Sequence, residues 1–211
     1  MTPPVETSWH LITAWLADHA PTTAAMLSPP ASEDDIRNLG REVPGGLPDE
    51  LIAWWRLGDG VGRPDGAGYF LPPRFAPMPV REALGVRRLM AGLVSPDAYR
   101  IAAADEAGSR SGAFLDTFVP IAADGGGDHL VVDLRPGAWH GCIQEWRNDD
   151  GCQTGPLWSG VAEMLAEVAD DFHHHTGVLA AHAERARAQG FRKSPYTAHA
   201  NDGTVVWLRV T

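Results

Sequence analysis

The segment "FVPIAADGGGDHLVVDL", Phe118–Leu134, decides the fold. Two apolar, β-branched runs flank three consecutive glycines, and the glycines lie between Asp124 and Asp128. Runs of this composition bounded by glycine read as strands joined by a tight turn. Gly125, Gly126 and Gly127 form that structural turn: they give the backbone freedom to bend, and the two Asp side chains suit the capping of turn amides. A phosphate cradle fits less well. G-x-x-x-x-G-K-[ST] is absent, and G-x-G-x-x-G opening a helix is contradicted by the strand that follows Gly127. A metal site would draw on Asp124, Asp128, Asp133, His129, His140 and Glu145, which are suitable ligand types. Asp128 and Asp133 are five positions apart, however, so a regular strand points them to opposite faces. The reading is a glycine hinge, with no metal and no cofactor.

Outward from this turn, "WHGCIQEW" (139–146) reads as a third strand, and "NDDG" (148–151) as a hairpin turn before "CQTGP". Leu130, Val132 and Leu134 alternate with His129, Val131 and Asp133, which predicts one well-buried face. Trp158, Val161, Leu165, Val168 and Phe172 then recur at helical spacing with Glu163, Glu167 and Asp170 opposite, predicting a helix that packs on the sheet. Ser159 is its expected N-cap.

Upstream, residues 6–19 put Trp9, Ile12 and Leu16 on one helical face. Ser32 opens "SEDDIRNLG" as an N-cap, with Gly40 as the stop. "LPDELIAWWRLGDG" (47–60) predicts a further helix ended by Gly58 and Asp59–Gly60. Extended pieces near 69–71 and 75–78 precede a helix over 80–90, and 94–113 reads as a surface loop. After 174 the chain predicts an Ala-rich helix over 175–189 and a hairpin turning at Asn201–Gly203. Helices, then a meander of strands, then helices imply an α+β fold with an antiparallel sheet. The expected division is residues 1–173 as one domain and 174–211 as a C-terminal helix-plus-hairpin extension.

Composition excludes several functions. The chain of 211 residues carries a formal charge of −10, which argues against a nucleic-acid surface. No apolar run approaches the roughly 20 residues of a membrane helix, so a soluble cytoplasmic protein is expected. Cys142 and Cys152 lack a basic setting that would make a reactive thiolate, and are expected to stay reduced. "FHHHTG" (172–177) projects three imidazoles about 100° apart on a helix, so they cannot jointly chelate one ion. G-x-S-x-G is absent, and Asp149 and Asp150 sit in a turn. Of the eight tryptophans, Trp54 and Trp55 are adjacent on a helix and Trp139 and Trp146 flank a strand, so one of each pair is a candidate exposed anchor for a protein partner.

The order of "LSPPASEDDIRNLG", "LPDELIAWWRLGDG", "GYFLPP", "FVPIAADGGGDHLVVDL", "GCIQEWRNDDG" and "LWSGVAEMLAEVADDF" resembles the SUKH superfamily, Smi/Knr type, over about residues 27–172. The Leu-Pro-x-x-Leu helix ending in Asp-Gly and the Pro-Ile-Ala-x-x-Gly-Gly strand pair carry the likeness. The resemblance implies a non-catalytic module. In bacteria it implies an immunity protein that binds and neutralises a cognate toxin, for which −10 suits a basic nuclease. In fungi it implies a scaffold for cell-wall synthesis. "GREVPGGLP" (40–48) departs from relatives, which carry a longer acidic helix there. The partner-binding residues expected from charge, loop position and motif are Trp54 or Trp55, Asp59, Asp124, Asp128, Glu145 and Trp146. The competing enzyme reading would use Asp124, Asp128 and His129 with a metal.

Overall fold

The computed structural model describes residues 2–62 and 66–210. Among these the elements run α1 (Val5–His19), α2 (Pro21–Ala24), α3 (Glu33–Glu42), α4 (Asp49–Trp55), β1 (Ala76–Pro77), α5 (Val80–Gly92), α6 (Pro96–Ala102), β2 (Phe118–Ala123), β3 (His129–Asp133), β4 (Cys142–Trp146), α7 (Val161–His174), α8 (Ala180–Ala188), β5 (Tyr196–Asn201) and β6 (Thr204–Arg209). The fold is α+β: an antiparallel four-stranded meander β1-β2-β3-β4, packed by helices, and a separate two-stranded hairpin β5-β6.

The central pair takes the register Phe118↔Asp133 and Val119↔Val132, then shifts between Pro120 and Ala122. That bulge leaves the Ile121 carbonyl free to accept from Met78 N at 2.8 Å, which anchors the β1 side of the sheet. The turn between β2 and β3 is built as its composition demands. Gly125 and Gly127 have φ of +79° and +106°, a region open chiefly to glycine. Asp124 Oδ1 accepts from Gly126 N (2.7 Å) and Asp128 N (2.9 Å), and Asp128 Oδ1 accepts from Asn148 N (2.9 Å). Both carboxylates therefore stitch the bend and the turn after β4 together.

One face of the sheet presents Val119, Leu130, Val132 and Ile143 to a core shared with Ile12 and Leu16 of α1, Leu51 and both tryptophans of α4, and Leu165 and Val168 of α7. The other face is buried too, contrary to the alternation expected of β3. Phe114, Leu115, Phe118, Val131, Trp146 and Cys152 form a second apolar cluster there. The cause is the 94–113 segment, which is not a plain surface loop. Ser95 accepts from Ala98 N, Pro96 follows at the first turn, and α6 results. The chain then bridges Ser111 to Cys152 and folds Phe114 over the sheet.

Four boundaries differ from expectation. The helix expected over 175–189 begins only at Ala180, because His175 and Leu179 take left-handed φ of +53° and +63°. Helix α3 has its Ser32 cap but runs past Gly40 to Glu42, where Arg87 Nη2 donates to the Glu42 carbonyl at 2.6 Å and holds the last turn. Ser159 does not cap α7. Its amide and hydroxyl donate to Glu163 Oε2 (both 2.6 Å), and Glu50 of α4 accepts from Ala162 N (3.1 Å) instead. "NDDG" closes a one-residue bridge, Arg147↔Gly151, after which the chain pairs with Ser111 rather than returning along β4.

Residues after α7 share the main core: Val178, Leu179, Ala198, Val205 and Trp207 join it, and Thr22 and Thr23 amides donate to the Gly203 carbonyl. The hairpin does not cover the β4 edge, because Ile143 and Leu157–Trp158 already bond there.

Candidate protein-binding surface

Of the aromatic anchors expected from sequence, Trp139 is 38% exposed and the other three are inside. Trp54 and Trp55 are both buried, although they are adjacent on α4. Trp54 meets Trp9 of α1 edge-on at 6.1 Å, while Trp55 turns to the other side and donates to the Met78 carbonyl at 3.4 Å. A short helix enclosed on two sides can bury two neighbouring residues. Trp146 is buried as well, against Phe114 and Phe118 with ring centroids 5.2 and 6.2 Å away. None of the three is an exposed anchor.

The acidic candidates hold structure together. Asp59 Oδ1 accepts from Val80 N at 2.7 Å and so caps α5. Its neighbour Gly60, at φ +67°, would drive a Cβ to 2.6 Å from the Met78 backbone. This gives the Asp-Gly motif a mechanical meaning: it is the close contact that docks α4 against the start of α5. Glu145 pairs with Lys193 at 3.1 Å, and Asp124 and Asp128 serve the turn described above. Of the seven positions, Asp124, Asp128, Glu145 and Trp146 lie around the β2–β3 turn and the end of β4, whereas Trp54, Trp55 and Asp59 lie on or just after α4.

Among the described residues, no group of three or more His, Cys, Asp or Glu side chains is placed to hold a metal. His174 Nδ1 lies 2.9 Å from Asp170, His173 Nε2 lies 3.3 Å from the Leu11 carbonyl, and His175 sits in the left-handed region as the C-cap of α7, stacked on His199. The three rings thus face three different neighbours. Cys142 and Cys152 are buried free thiols; burial pushes Cys142 up to about 12 and raises Cys152 as well, so neither is a thiolate nucleophile near neutrality. No helix among the described residues is long and apolar enough to cross a membrane.

What the surface does offer lies where the sequence read a helix end and a loop. Leu89 on α5, Leu93 at its C-cap and Ile101 on α6 are 63%, 74% and 65% exposed, the most exposed of the large apolar residues among those described. Leu89 and Leu93 are one turn apart and so share a face. The opposite side of the two helices is fixed. Arg87 donates to the Asp116 carbonyl, and Tyr99 Oη donates to Asp116 Oδ1 at 2.6 Å. That bond, with burial, pushes the Tyr99 hydroxyl up to about 12. Met90, Val94, Tyr99 and Ala103 rest against the second cluster, which leaves Leu89, Leu93 and Ile101 outside. Exposed acids share these faces: Glu82 two turns before Leu89, and Asp97 one turn before Ile101. The signal was legible in "SPDAYRIA" (95–102), where a Ser cap and Pro precede a helix-length run, but its apolar residues are too few to show periodicity.

No curated protein matches the chain. The SMI1 / KNR4 family (SUKH-1) matches residues 30–167. This span takes in α3 to α6, the whole four-stranded sheet and the first half of α7, and it leaves α1, α8 and the hairpin outside. With about two thirds of its length matched, including the Asp-Gly junction and the glycine turn, the chain belongs to the SMI1 / KNR4 family (SUKH-1).

Proposed function

We propose that this protein is a non-catalytic binding module of the immunity type, which occludes a cognate toxin by docking it on the α5–α6 face. The observation that carries the docking face is the high exposure of Leu89, Leu93 and Ile101 on two consecutive helical segments. Leu89 and Leu93 share one face, and neighbouring exposed apolar side chains of this kind favour an interaction site. The occupant is a protein with an apolar groove and a basic surround, argued from charge. Of the 17 basic and 27 acidic residues, 174–211 hold five basic (Arg185, Arg187, Arg192, Lys193, Arg209) and two acidic (Glu184, Asp202). The preceding residues are therefore at −13. Asp97, Asp124, Asp128, Asp149 and Asp150 contribute to that field, which favours a basic toxin such as a nuclease. Family membership supports a binding rather than catalytic role.

The test is to purify the protein with the product of the adjacent reading frame, and to express that product with and without it. The reading predicts a stoichiometric complex, relief of toxicity, and loss of both in Leu93→Asp. A neighbour that is neither toxic nor bound removes the immunity reading; a bound, non-toxic envelope protein would favour a scaffold for cell-wall synthesis.

A further inference from the structure

A cleft of about 440 Å³ is lined by the loop 106–110, by Trp139, by residues 154–156 and by Arg185 and Gln189 of α8. The family domain supplies most of this lining, and the segment outside the family match supplies the rest. Its volume falls in the range of small-molecule sites, roughly 300–1,000 Å³. The loop is fixed from behind: Gly108 N donates to Asp133 Oδ2, and Arg135 Nη2 donates to the Ser109 carbonyl, both at 2.8 Å. The cleft is thus formed before any ligand arrives.

Two guanidinium groups line it, Arg110 and Arg185, and neither makes an ion pair among the described residues. Each is steered by a ring, Arg110 over Phe191 at 5.2 Å and Arg185 over Trp139 at 5.6 Å. Arg185 places one terminal nitrogen on the Pro156 and Leu157 carbonyls (3.1 and 3.4 Å), and its buried Nε has no partner among the described residues. His182 Nδ1 lies 3.0 Å from the same Pro156 oxygen, and its buried Nε2 is also unpartnered among the described residues. Buried polar atoms without partners are few in native structures. Glu106 is the one carboxylate of the lining, so the cleft is locally positive in a chain of −10.

We propose that this cleft binds a small anionic molecule. Its carboxylate or phosphate is gripped by Arg110 and Arg185, whose planar forks match either group, and a flat apolar portion lies against the half-exposed Trp139. The proposal does not depend on the protein-partner reading.

Isothermal titration of the full chain with adenosine 5′-monophosphate, benzoate and inorganic phosphate tests it. Saturable binding of either ring-bearing probe is expected, and which of the two binds identifies the anion as phosphate or carboxylate. Arg110→Gln should weaken that binding at least tenfold. Its side chain makes no hydrogen bond among the described residues, so the variant should fold; Arg185→Gln is the second arm, with thermal unfolding as the fold check. Glu106→Gln should tighten binding by about threefold. The proposal fails if no probe saturates at millimolar concentration, or if both arginine variants bind as the parent does. Phosphate binding as tightly as the ring-bearing probes overturns the stacking half.

Discussion

Asp171 on α7 is wholly buried and makes no ion pair among the described residues; it is held by donors from the C-terminal segment. Its Oδ1 accepts from Gly177 N (2.7 Å) and its Oδ2 from Ala198 N (2.6 Å), while Thr197 Oγ1 reaches both oxygens. Four residues earlier, Glu167 is also drawn inward, but it uses a single oxygen. Oε2 accepts from Trp158 Nε1 (2.6 Å) and Leu179 N (3.1 Å), and Oε1 has no bond among the described residues. The two carboxylates should therefore answer amide replacement differently. Asp171→Asn must turn an NH2 against a backbone N–H, and is expected to destabilise by about 3 kcal/mol. Glu167→Gln can keep both bonds through its carbonyl oxygen, and is expected to stay within about 1 kcal/mol of the parent. Burial raises the Glu167 carboxyl above its ordinary value. An acid raised on folding gives the native state the extra proton between its unfolded and folded values, so the parent loses stability as pH rises through that window. Glu167→Gln removes this loss, and its stability relative to the parent should improve from about pH 4 toward neutrality. Urea unfolding of both variants across pH 4–8 checks both claims, and equal losses at pH 7 would refute the distinction.

The elements that follow a clear period were legible in the sequence: the three strands around the glycine turn, the Ser32-capped helix, and α7 with its apolar stripe. What was not legible depends on contacts distant in the chain. Nothing local in "AWW" (53–55) reveals that α1 and the 78–80 segment enclose α4 on two sides. The burial of both faces of β3 is decided by residues 94–118, whose only local clue is the Ser95–Pro96 cap. The same distance effect governs the polar layer beneath that segment. Asp133 and Arg135 are buried together at 2.8 Å. Asp133 also accepts from Gly108 N and Gln144 Nε2, while Arg135 donates to the Ala102 and Ser109 carbonyls. The pair thus ties the end of α6 and the following loop to the sheet. Breaking a buried pair from one side costs about 3–5 kcal/mol, because the remaining charge is left uncompensated. Arg135→Met should destabilise by that order, and hydrogen exchange should show where the loss begins. Amides of α6 and Gly108 are expected to exchange faster before those of α1 or α7 do. A uniform loss of protection would mean the network serves the whole core and not this segment.

Across the whole molecule, charge and apolar exposure are arranged differently, and this separates their roles in binding. The acidic excess is spread over many side chains before residue 174, whereas apolar exposure is highest at Leu89, Leu93 and Ile101 among the described residues. A diffuse field acts on encounter, at distances that salt screens with a length of about 10 Å at 0.1 M. A contact patch acts after encounter, on how long the complex lasts. Asp149 and Asp150 lie in the exposed turn beyond β4, outside the proposed docking face. Replacing both with Asn should slow association with the proposed basic toxin severalfold at low salt and leave dissociation nearly unchanged. Leu93→Ser should do the reverse, raising the dissociation rate at least tenfold with little effect on association. Stopped-flow association and dissociation measured at 20 and 300 mM salt distinguish the two. The association rate of the parent should fall steeply over that range, and the double Asn variant should fall less steeply. A partner whose association ignores salt would not be reading the acidic field. If Leu93→Ser left dissociation unchanged, the complex would be held by some surface other than the α5–α6 face.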